Sequence, residues 1–182
     1  DITDDPFETK NLAKDKNHKE HLLEMRNELK THLISINDLS FIPEPYFIEN
    51  GLNNVETYSY INKELIRKLI DISDLNLNEY KNVSSKIKDA LKDGNPWVRY
   101  WGLISCTSFG LEAGENLAEI NNLFEKDPEN LVKIRAAEYL MLHNKKVDQE
   151  KINNLLKSAK SETEANLMLN TLALIKTKNP NY

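Results

Sequence analysis

Cys106 is the one cysteine of this 182-residue chain, and therefore the one thiol that could act as a nucleophile. A reactive cysteine needs a nearby base or positive charge that lowers the pKa of its thiol. Cys106 lies instead in the apolar run LISCTSF, with no histidine or charged residue beside it. We therefore expect a buried structural cysteine. A single cysteine also excludes an intrachain disulfide, so it identifies no redox compartment.

The histidines offer a second chemistry, metal binding. His18 and His21 are spaced i, i+3, Glu24 follows one turn later and His32 lies further along. A metal site needs three or four ligands held together, so we expect a solvated helix face here. We expect His143 to interact with the negative C-terminal end of its own helix. Nucleotide-binding, metalloprotease and serine-hydrolase motifs are also missing, so the sequence predicts no catalytic residue, metal ligand or cofactor in this chain.

Trp97, Tyr100 and Trp101 form the densest aromatic group in the sequence. If these rings are exposed, they form a surface that stacks on a sugar or on a protein partner. If they are buried, they fill the space between helices, and Gly102 lets another backbone approach closely. We favour the buried alternative, because a helix between two neighbours needs this apolar volume.

The composition narrows the class of protein. Charged residues make up 29% and hydrophobic residues 40% of the chain, with 5 glycines and 6 prolines, which favours a globular and mainly helical protein. The net charge of -5 and the lack of a basic stripe argue against nucleic acid as a partner. The longest apolar run, LMLNTLALI at 167–175, is less than half of the roughly 20 residues that cross a membrane.

Three pairs of helices are predicted from about Asn78 onward, and the pairs resemble one another. The first helix of each pair has a narrow apolar stripe, which predicts one wet face. The second helix is apolar nearly all round, which predicts a position between neighbours. The stripes comprise Tyr80, Val83, Ile87 and Leu91, then Leu117, Ile120 and Phe124, then Ile152, Leu155, Leu156 and Ala159, and the second helices cover 97–106, 131–142 and 165–175.

The turns inside the first two pairs share an aspartate, a proline and a following arginine. The aspartate accepts hydrogen bonds at a helix start, the proline loses none there, and we expect each arginine to reach an aspartate of its own or a neighbouring pair. This pattern resembles HEAT repeats and implies an all-α fold whose helical hairpins stack as a short HEAT-like α-solenoid. The third turn, at 161–164, lacks both proline and arginine, as suits a terminal repeat. The residues concerned are Asp93, Pro96 and Arg99 in the first turn and Asp127, Pro128 and Arg135 in the second.

The first 60 residues predict a different arrangement. Asp4-Asp5-Pro6 is a turn signal after a strand end, and a helix begins near Asn17 with Glu20 as its reciprocal cap. Residues 38–60 contain turn signals but many apolar side chains, so we expect a connector that lies in a groove, followed by a helix over 62–72. The helix near Asn17 presents an apolar face with no sheet to cover it, comprising Leu22, Met25, Leu29, Leu33 and Ile36.

The same N-terminal region resembles the C-terminal end of arylsulfatase-type sulfatases. The stretch DITDDPFETKNLA matches the family's turn, a helix follows, and FIPE at 41–44 matches a motif of one bacterial branch, with Ser40 where glycine is usual. That branch appends HEAT-like repeats with an inner helix that reads V-R-Y-W, as at 98–101 here. The matched turn positions are Asp5, Pro6, Glu8, Asn11, Leu12 and Ala13.

The resemblance implies a sulfatase remnant over 1–56 and a HEAT-like helical repeat domain over 57–182. The parent enzyme would hydrolyse sulfate esters or N-sulfates, on glycans, with a calcium ion and a formylglycine that this chain does not supply. The chain would be a non-catalytic scaffold that packs against its own missing catalytic domain and meets a sulfated glycan only through the parent. Phe41 and Glu44 would be nearest to substrate, and such bacterial enzymes are commonly exported to the periplasm or beyond.

Three other functions stay open at the level of sequence. An independent HEAT-like module would bind another protein on its concave face. A sugar-binding module would need Trp97 or Trp101 at the surface. An enzyme that uses Cys106 would need a thiol that reacts in the folded state.

Overall fold

The computed structural model describes residues 2–178, and over that range it is all-α, with ten α-helices, short 3-10 turns and no β-strand. The predicted fold class is therefore confirmed, whereas the strand end predicted before Asp5 is wrong, because residues 2–15 form turns. Asp1 and residues 179–182, which end the two predicted domains, lie outside the described range. The helices are α1 Lys19–Ser35, α2 Glu44–Asn50, α3 Val55–Ile61, α4 Lys63–Ser73, α5 Tyr80–Leu91, α6 Pro96–Phe109, α7 Leu117–Lys126, α8 Asn130–Leu142, α9 Gln149–Lys157 and α10 Glu162–Lys178.

Three helical hairpins, α5–α6, α7–α8 and α9–α10, stack side by side. Helix α6 packs between α4 and α8, and α8 packs between α6 and α10, so these second helices form one row. Helices α5, α7 and α9 pack outside that row, each against its own partner. The predicted helix pairs are present, while their identity as HEAT repeats stays a prediction.

The apolar pattern explains these positions. Helices α5, α7 and α9 each bury one stripe, whereas α8 buries ten of its thirteen residues. We predicted that α10 lies between two neighbouring helices, but it lies at the end of the row of second helices. It buries Met168 and Ile175 towards α8 but leaves Leu169 and Leu174 50% and 44% exposed.

Helices α6 and α10 begin at side-chain caps, whereas the N-cap residue of α8, Glu129, makes no side-chain cap hydrogen bond. The Asn95 side chain accepts a hydrogen bond from the Trp97 amide at the start of α6, and Asp127 Oδ1 accepts one from the Glu129 amide before α8. At α10, Ser161 Oγ accepts from the Glu164 amide while the Glu164 carboxylate accepts from the Lys160 amide. This is a variant of the capping box, because the carboxylate bonds the amide one residue before the cap; the S-x-x-E pattern indicates it, but we did not predict it.

Helix α1 lies at the other end of the row, against α4. Asp15, rather than Asn17, caps the preceding 3-10 turn by accepting from the Asn17 amide. Lys30 Nζ lies 2.6 Å from Asp71 Oδ1 and 3.0 Å from Asp74 Oδ2, which ties α1 to the end of α4. No residue of α1 is buried, so the helix face that we predicted to lie in the core is only partly covered. Leu22 and Leu33 are half-buried, whereas Met25, Leu29 and Ile36 are 56%, 58% and 53% exposed.

The connector at 38–60 is more ordered than predicted, because it folds into a 3-10 turn over 39–41 and the short helices α2 and α3. It packs against α4 and α10, and Ile42, Pro43 and Pro45 are buried. The predicted helix over 62–72 is α4, although Ile61, which we assigned to its apolar face, is 69% exposed. The predicted boundary between 56 and 57 stays a prediction.

Candidate functional site

A groove of about 500 Å³ brings together five of the residues that the sequence singled out for separate reasons. Residues 39–44 of the connector form one wall, and side chains of α6, α8 and α10 form the other. Most of the lining is apolar, with Ile104 and Leu167 among it. The five residues are Phe41, Glu44, Tyr100, Trp101 and Arg135.

Trp101 fixes the connector wall of this groove. Its indole Nε1 donates a hydrogen bond to the Phe41 carbonyl oxygen at 2.7 Å, and the two rings lie with centroids 5.5 Å apart. Ile42, the next residue, is 3% exposed and holds the segment in the core. Trp101 is therefore half-buried and its indole donor is already used, while Phe41 is also half-buried and lines the groove.

Arg135 supplies a cation to the opposite wall. Its Nη1 donates to Glu138 Oε2 at 2.7 Å, its Nη2 donates to the Tyr100 hydroxyl at 2.9 Å, and its guanidinium carbon lies 5.1 Å from the Tyr100 ring centroid. Burial alone would lower the pKa of Arg135, but its interactions with Tyr100 and Glu138 outweigh burial and raise that pKa. Nε is buried and has no hydrogen-bond partner, and 18% of the side chain is exposed.

Glu44 is the second charged residue of the groove. It is the first residue of α2 and is exposed. Among residues 2–178 its carboxylate has no hydrogen-bond or ion-pair partner. The groove therefore presents a partly buried cation on one wall and a free carboxylate at its rim.

The residues of the predicted turn motif lie elsewhere and join two hairpins. Arg99 Nε donates to Asp127 Oδ2 at 2.6 Å, Nη2 donates to Oδ1 at 3.0 Å, and Nη1 donates to the Asp93 carbonyl oxygen at 2.8 Å. Both charged groups are nearly buried. Asp93 Oδ1 accepts from the Asn95 amide, Pro96 is the first residue of α6, and Pro128 lies in the turn before α8. This is a structural link of the bidentate kind that suits arginine and a carboxylate.

Arg135 does not repeat the role of Arg99, which corrects our sequence prediction. Helices α6 and α8 begin 34 residues apart, at Pro96 and Asn130, so the position equivalent to Arg99 is Lys133. Arg135 lies two residues further, on another side of α8, and therefore turns towards Tyr100. Between the second and third hairpins the Asn130 side chain donates to the Ser158 carbonyl oxygen, and two exposed ion pairs, Lys151–Glu125 and Lys160–Glu129, also join them.

The aromatic group Trp97, Tyr100 and Trp101 mainly fills the space between helices. Trp97 is 3% exposed and packs on Tyr46 with ring centroids 4.6 Å apart, and Tyr100 is 6% exposed. A Cβ at Gly102 would lie 3.2 Å from the Ala90 side chain, so this glycine permits the close approach of α5 and α6. Of the three candidate surface aromatics, Trp101 alone is more than marginally accessible.

The thiol and the imidazoles contribute little chemistry. Cys106 is fully buried, and burial raises the pKa of its thiol to about 12. His18 lies 3.6 Å from Asp15 and His21 lies 3.5 Å from Glu24, both on exposed surface. His143 Nδ1 bonds the Tyr139 carbonyl oxygen at 2.7 Å, at the C-terminal end of α8. Within residues 2–178, no group of three or more His, Cys, Asp or Glu is placed to hold a metal ion.

Sequence reasoning missed several residues of the groove. Glu138, the ion-pair partner of Arg135, could have been found from its i, i+3 spacing, because residues so spaced meet on one helix face. Ile104 follows Trp101 by three residues and had the same signal. Leu167 had none, since its approach to the connector depends on how α10 packs across the molecule.

The part of the chain that the structure describes contains no helix long and apolar enough to span a membrane. Comparisons of the chain with protein-family models, with curated proteins and with solved structures each gave no match.

Proposed function

We propose that this chain is a non-catalytic helical scaffold that packs against a sulfatase-type catalytic domain through α1. The sulfatase assignment rests on the resemblance of the turn at 5–13 and of FIPE at 41–44. In this proposal the catalytic domain supplies the calcium ion and the formylglycine, and it hydrolyses sulfate esters or N-sulfates of glycans. The chain described here supplies the supporting surface.

The observation that carries the proposal is an uncovered apolar stripe on α1. At about 100° of rotation per residue, Met25, Leu29 and Ile36 lie within about 40° of one another around the helix. Each of them exposes more than half of its surface. Contiguous apolar surface of this kind marks sites that another protein covers.

Helix α1 presents this stripe in a defined direction. Lys30 ties the helix to Asp71 and Asp74 of α4, and Leu33 and Ile34 pack against the core. These contacts lie on the adjoining side of the helix, so they leave the stripe uncovered. A partner that meets the stripe therefore meets an ordered helix, and association costs little ordering entropy.

Two of the alternatives lose support from the same geometry. The face formed by α6, α8 and α10, on which an independent module would bind a partner, is partly covered by the chain's own residues 39–47. Trp97 is buried and Trp101 is half-buried against Phe41, so stacking on a sugar lacks a fully exposed ring.

The first test is to sequence the open reading frame upstream of the codon for Asp1. The proposal expects a C/S-x-P/A-x-R motif several hundred codons earlier, within an α/β pattern. A frame that starts close to Asp1, or one that encodes an unrelated domain, contradicts it.

The second test measures binding of the upstream-encoded domain to this chain added in trans. Leu29→Glu places a charge on the α1 stripe, and we expect its Kd to rise at least about tenfold. Leu111→Glu is the matched control, because Leu111 is 79% exposed in the turn between α6 and α7. Equal binding by the two variants would refute the role of the stripe.

A further inference from the structure

We infer that the groove between residues 39–44 and helices α6, α8 and α10 binds a small molecule that carries a single carboxylate on an apolar body. The inference uses only the groove, so it does not depend on the α1 surface or on the sulfatase assignment. The body and the carboxylate are recognised by different walls.

The apolar body follows from the size and the lining of the groove. Its volume of about 500 Å³ lies within the range of small-molecule sites, roughly 300–1,000 Å³. Phe41 and Trp101 offer half-buried ring surface, and Ile104 and Leu167 add aliphatic surface. The Trp101–Phe41 hydrogen bond holds the two rings in place before any ligand arrives, so the ligand does not pay for ordering them.

The carboxylate follows from Arg135. A guanidinium has five N–H donors. Arg135 uses two of them, on Glu138 and on the Tyr100 hydroxyl, and the one on Nε is buried, so one N–H on each Nη is left for a ligand. Its side chain remains 18% exposed and lines the groove. A planar fork with spare donors beside apolar walls suits a ligand carboxylate, because charge-assisted hydrogen bonds strengthen where water is excluded.

The other charges limit the ligand to one negative charge. Glu138 is nearly buried behind Arg135, and Glu44 lies unpaired at the rim. A dianion would bring a second negative charge near these two carboxylates, of which only Glu44 lines the groove, and an amine would place its charge beside the guanidinium. A neutral alcohol fills the same space without using the spare donors.

The test titrates the full chain with three probes of equal size by isothermal titration calorimetry. The probes are 3-phenylpropionate, 3-phenylpropan-1-ol and 3-phenylpropylamine. We expect saturable binding of 3-phenylpropionate, with a Kd at least about tenfold below those of the alcohol and the amine. No saturable binding, equal binding of the three probes, or tighter binding of the amine overturns the inference.

The decisive variant replaces the ion pair as a unit, Arg135→Met together with Glu138→Leu. Removing both partners leaves no buried charge uncompensated, so the fold is retained, as circular dichroism checks. We expect the carboxylate to lose its advantage over the alcohol, while alcohol binding persists. The matched control removes the exposed ion pair Lys151–Glu125 in the same way and leaves all three affinities unchanged.

Two further variants keep the test decisive if the double variant fails to fold. Leu167→Ala removes contact with the apolar body, so all three probes should weaken together. Glu44→Gln removes a like charge from the rim, so carboxylate binding should strengthen and amine binding should weaken. If Glu44→Gln shifts the two probes in the opposite directions, the inference is wrong. Tighter binding of N-acetyl-Ala-Ala-Phe than of 3-phenylpropionate would instead identify a peptide C-terminus as the ligand and refute a small molecule.

Discussion

The hydroxyl of Tyr58 is buried and meets no hydrogen-bond partner within the described part of the chain. Tyr80 is equally buried, but its hydroxyl donates to Glu115 Oε1 at 2.6 Å and accepts from the Asn116 side chain at 3.0 Å. A buried polar group without a partner keeps its full desolvation cost, whereas a bonded group recovers it. Removing the hydroxyl should therefore have opposite effects on the free energy of unfolding at these two tyrosines.

We expect Tyr58→Phe to raise the free energy of unfolding by about 1 kcal/mol, because it removes an unpaired hydroxyl. We expect Tyr80→Phe to lower it by a similar amount, about 1 kcal/mol, because it leaves Glu115 and Asn116 without their partner. Urea unfolding at neutral pH measures both. If Tyr58→Phe lowers the stability, the hydroxyl is bonded in solution and the prediction is wrong.

The contribution of Tyr58 to the free energy of unfolding also depends on pH. Burial raises the pKa of Tyr58 from 10.0 to about 12. The neutral phenol therefore contributes fully below pH 10, and this contribution is lost as the pH rises towards 12, since the unfolded chain ionises first. Tyr58→Phe lacks this loss, so its advantage over the parent chain should grow between pH 10 and 12. A constant difference across that range would contradict the assignment.

The role of a single residue could be predicted from the sequence where its interaction partner lies close by along the chain. The aspartates and prolines of the first two turns correctly predict where helices begin, but Asp93 and Asp127 bond the amides of Asn95 and Glu129 and do not cap the helices themselves. The role of Arg135 was not predictable, because two arginines 36 residues apart suggest a repeat, whereas α6 and α8 begin 34 residues apart. A shift of two residues on a helix turns a side chain by about 200°, to a different neighbour.

At the scale of elements, the link between Arg99 and Asp127 joins the first hairpin to the second. We expect Asp127→Asn to lower the free energy of unfolding by about 3 kcal/mol, because it keeps the shape and the hydrogen bond from the Glu129 amide but leaves the buried guanidinium without its counter-charge. The control is Glu125→Gln in the exposed pair with Lys151, which also joins two hairpins and should cost less than about 1 kcal/mol. Equal losses in urea unfolding would show that burial does not govern these links.

The connector shows why elements can be misassigned. Pro43, Pro45 and Asn50-Gly51 read as turn signals, but a proline in the first turn of a helix loses no hydrogen bond, and the same residues begin and end α2. A Cβ at Gly51 would lie 2.7 Å from the rings of Phe47 and Tyr58, so the glycine serves packing as well as the turn. Neither fact follows from local sequence.

At the scale of the whole molecule, stability should be graded along the row of helices. Helix α1 buries no residue, whereas α6 and α8 hold much of the core. We expect α1 amides to exchange with solvent through local opening, and α6 and α8 amides only through global unfolding. Hydrogen exchange read by mass spectrometry measures this difference. Protection of α1 equal to that of α8 would show that the chain opens as one unit.

The row of hairpins was predictable because helical periodicity shows which helices need two neighbours. The groove could not be predicted, although five of its residues had been named for separate reasons. Phe41 and Trp101 are 60 positions apart in sequence, and only the packing of the connector across the second helices joins them. Long-range packing of this kind leaves no local signal.

Labelling of Cys106 can report how often the packing around α6 opens. The thiol lies at zero exposure in α6, and its pKa of about 12 leaves almost no thiolate in the closed state. A small thiol reagent therefore labels each chain at one position, and only after the packing around α6 has opened. The mass of that single adduct distinguishes labelled from unlabelled chains. At reagent concentrations where labelling is faster than closing, the rate at which the adduct appears equals the rate of opening.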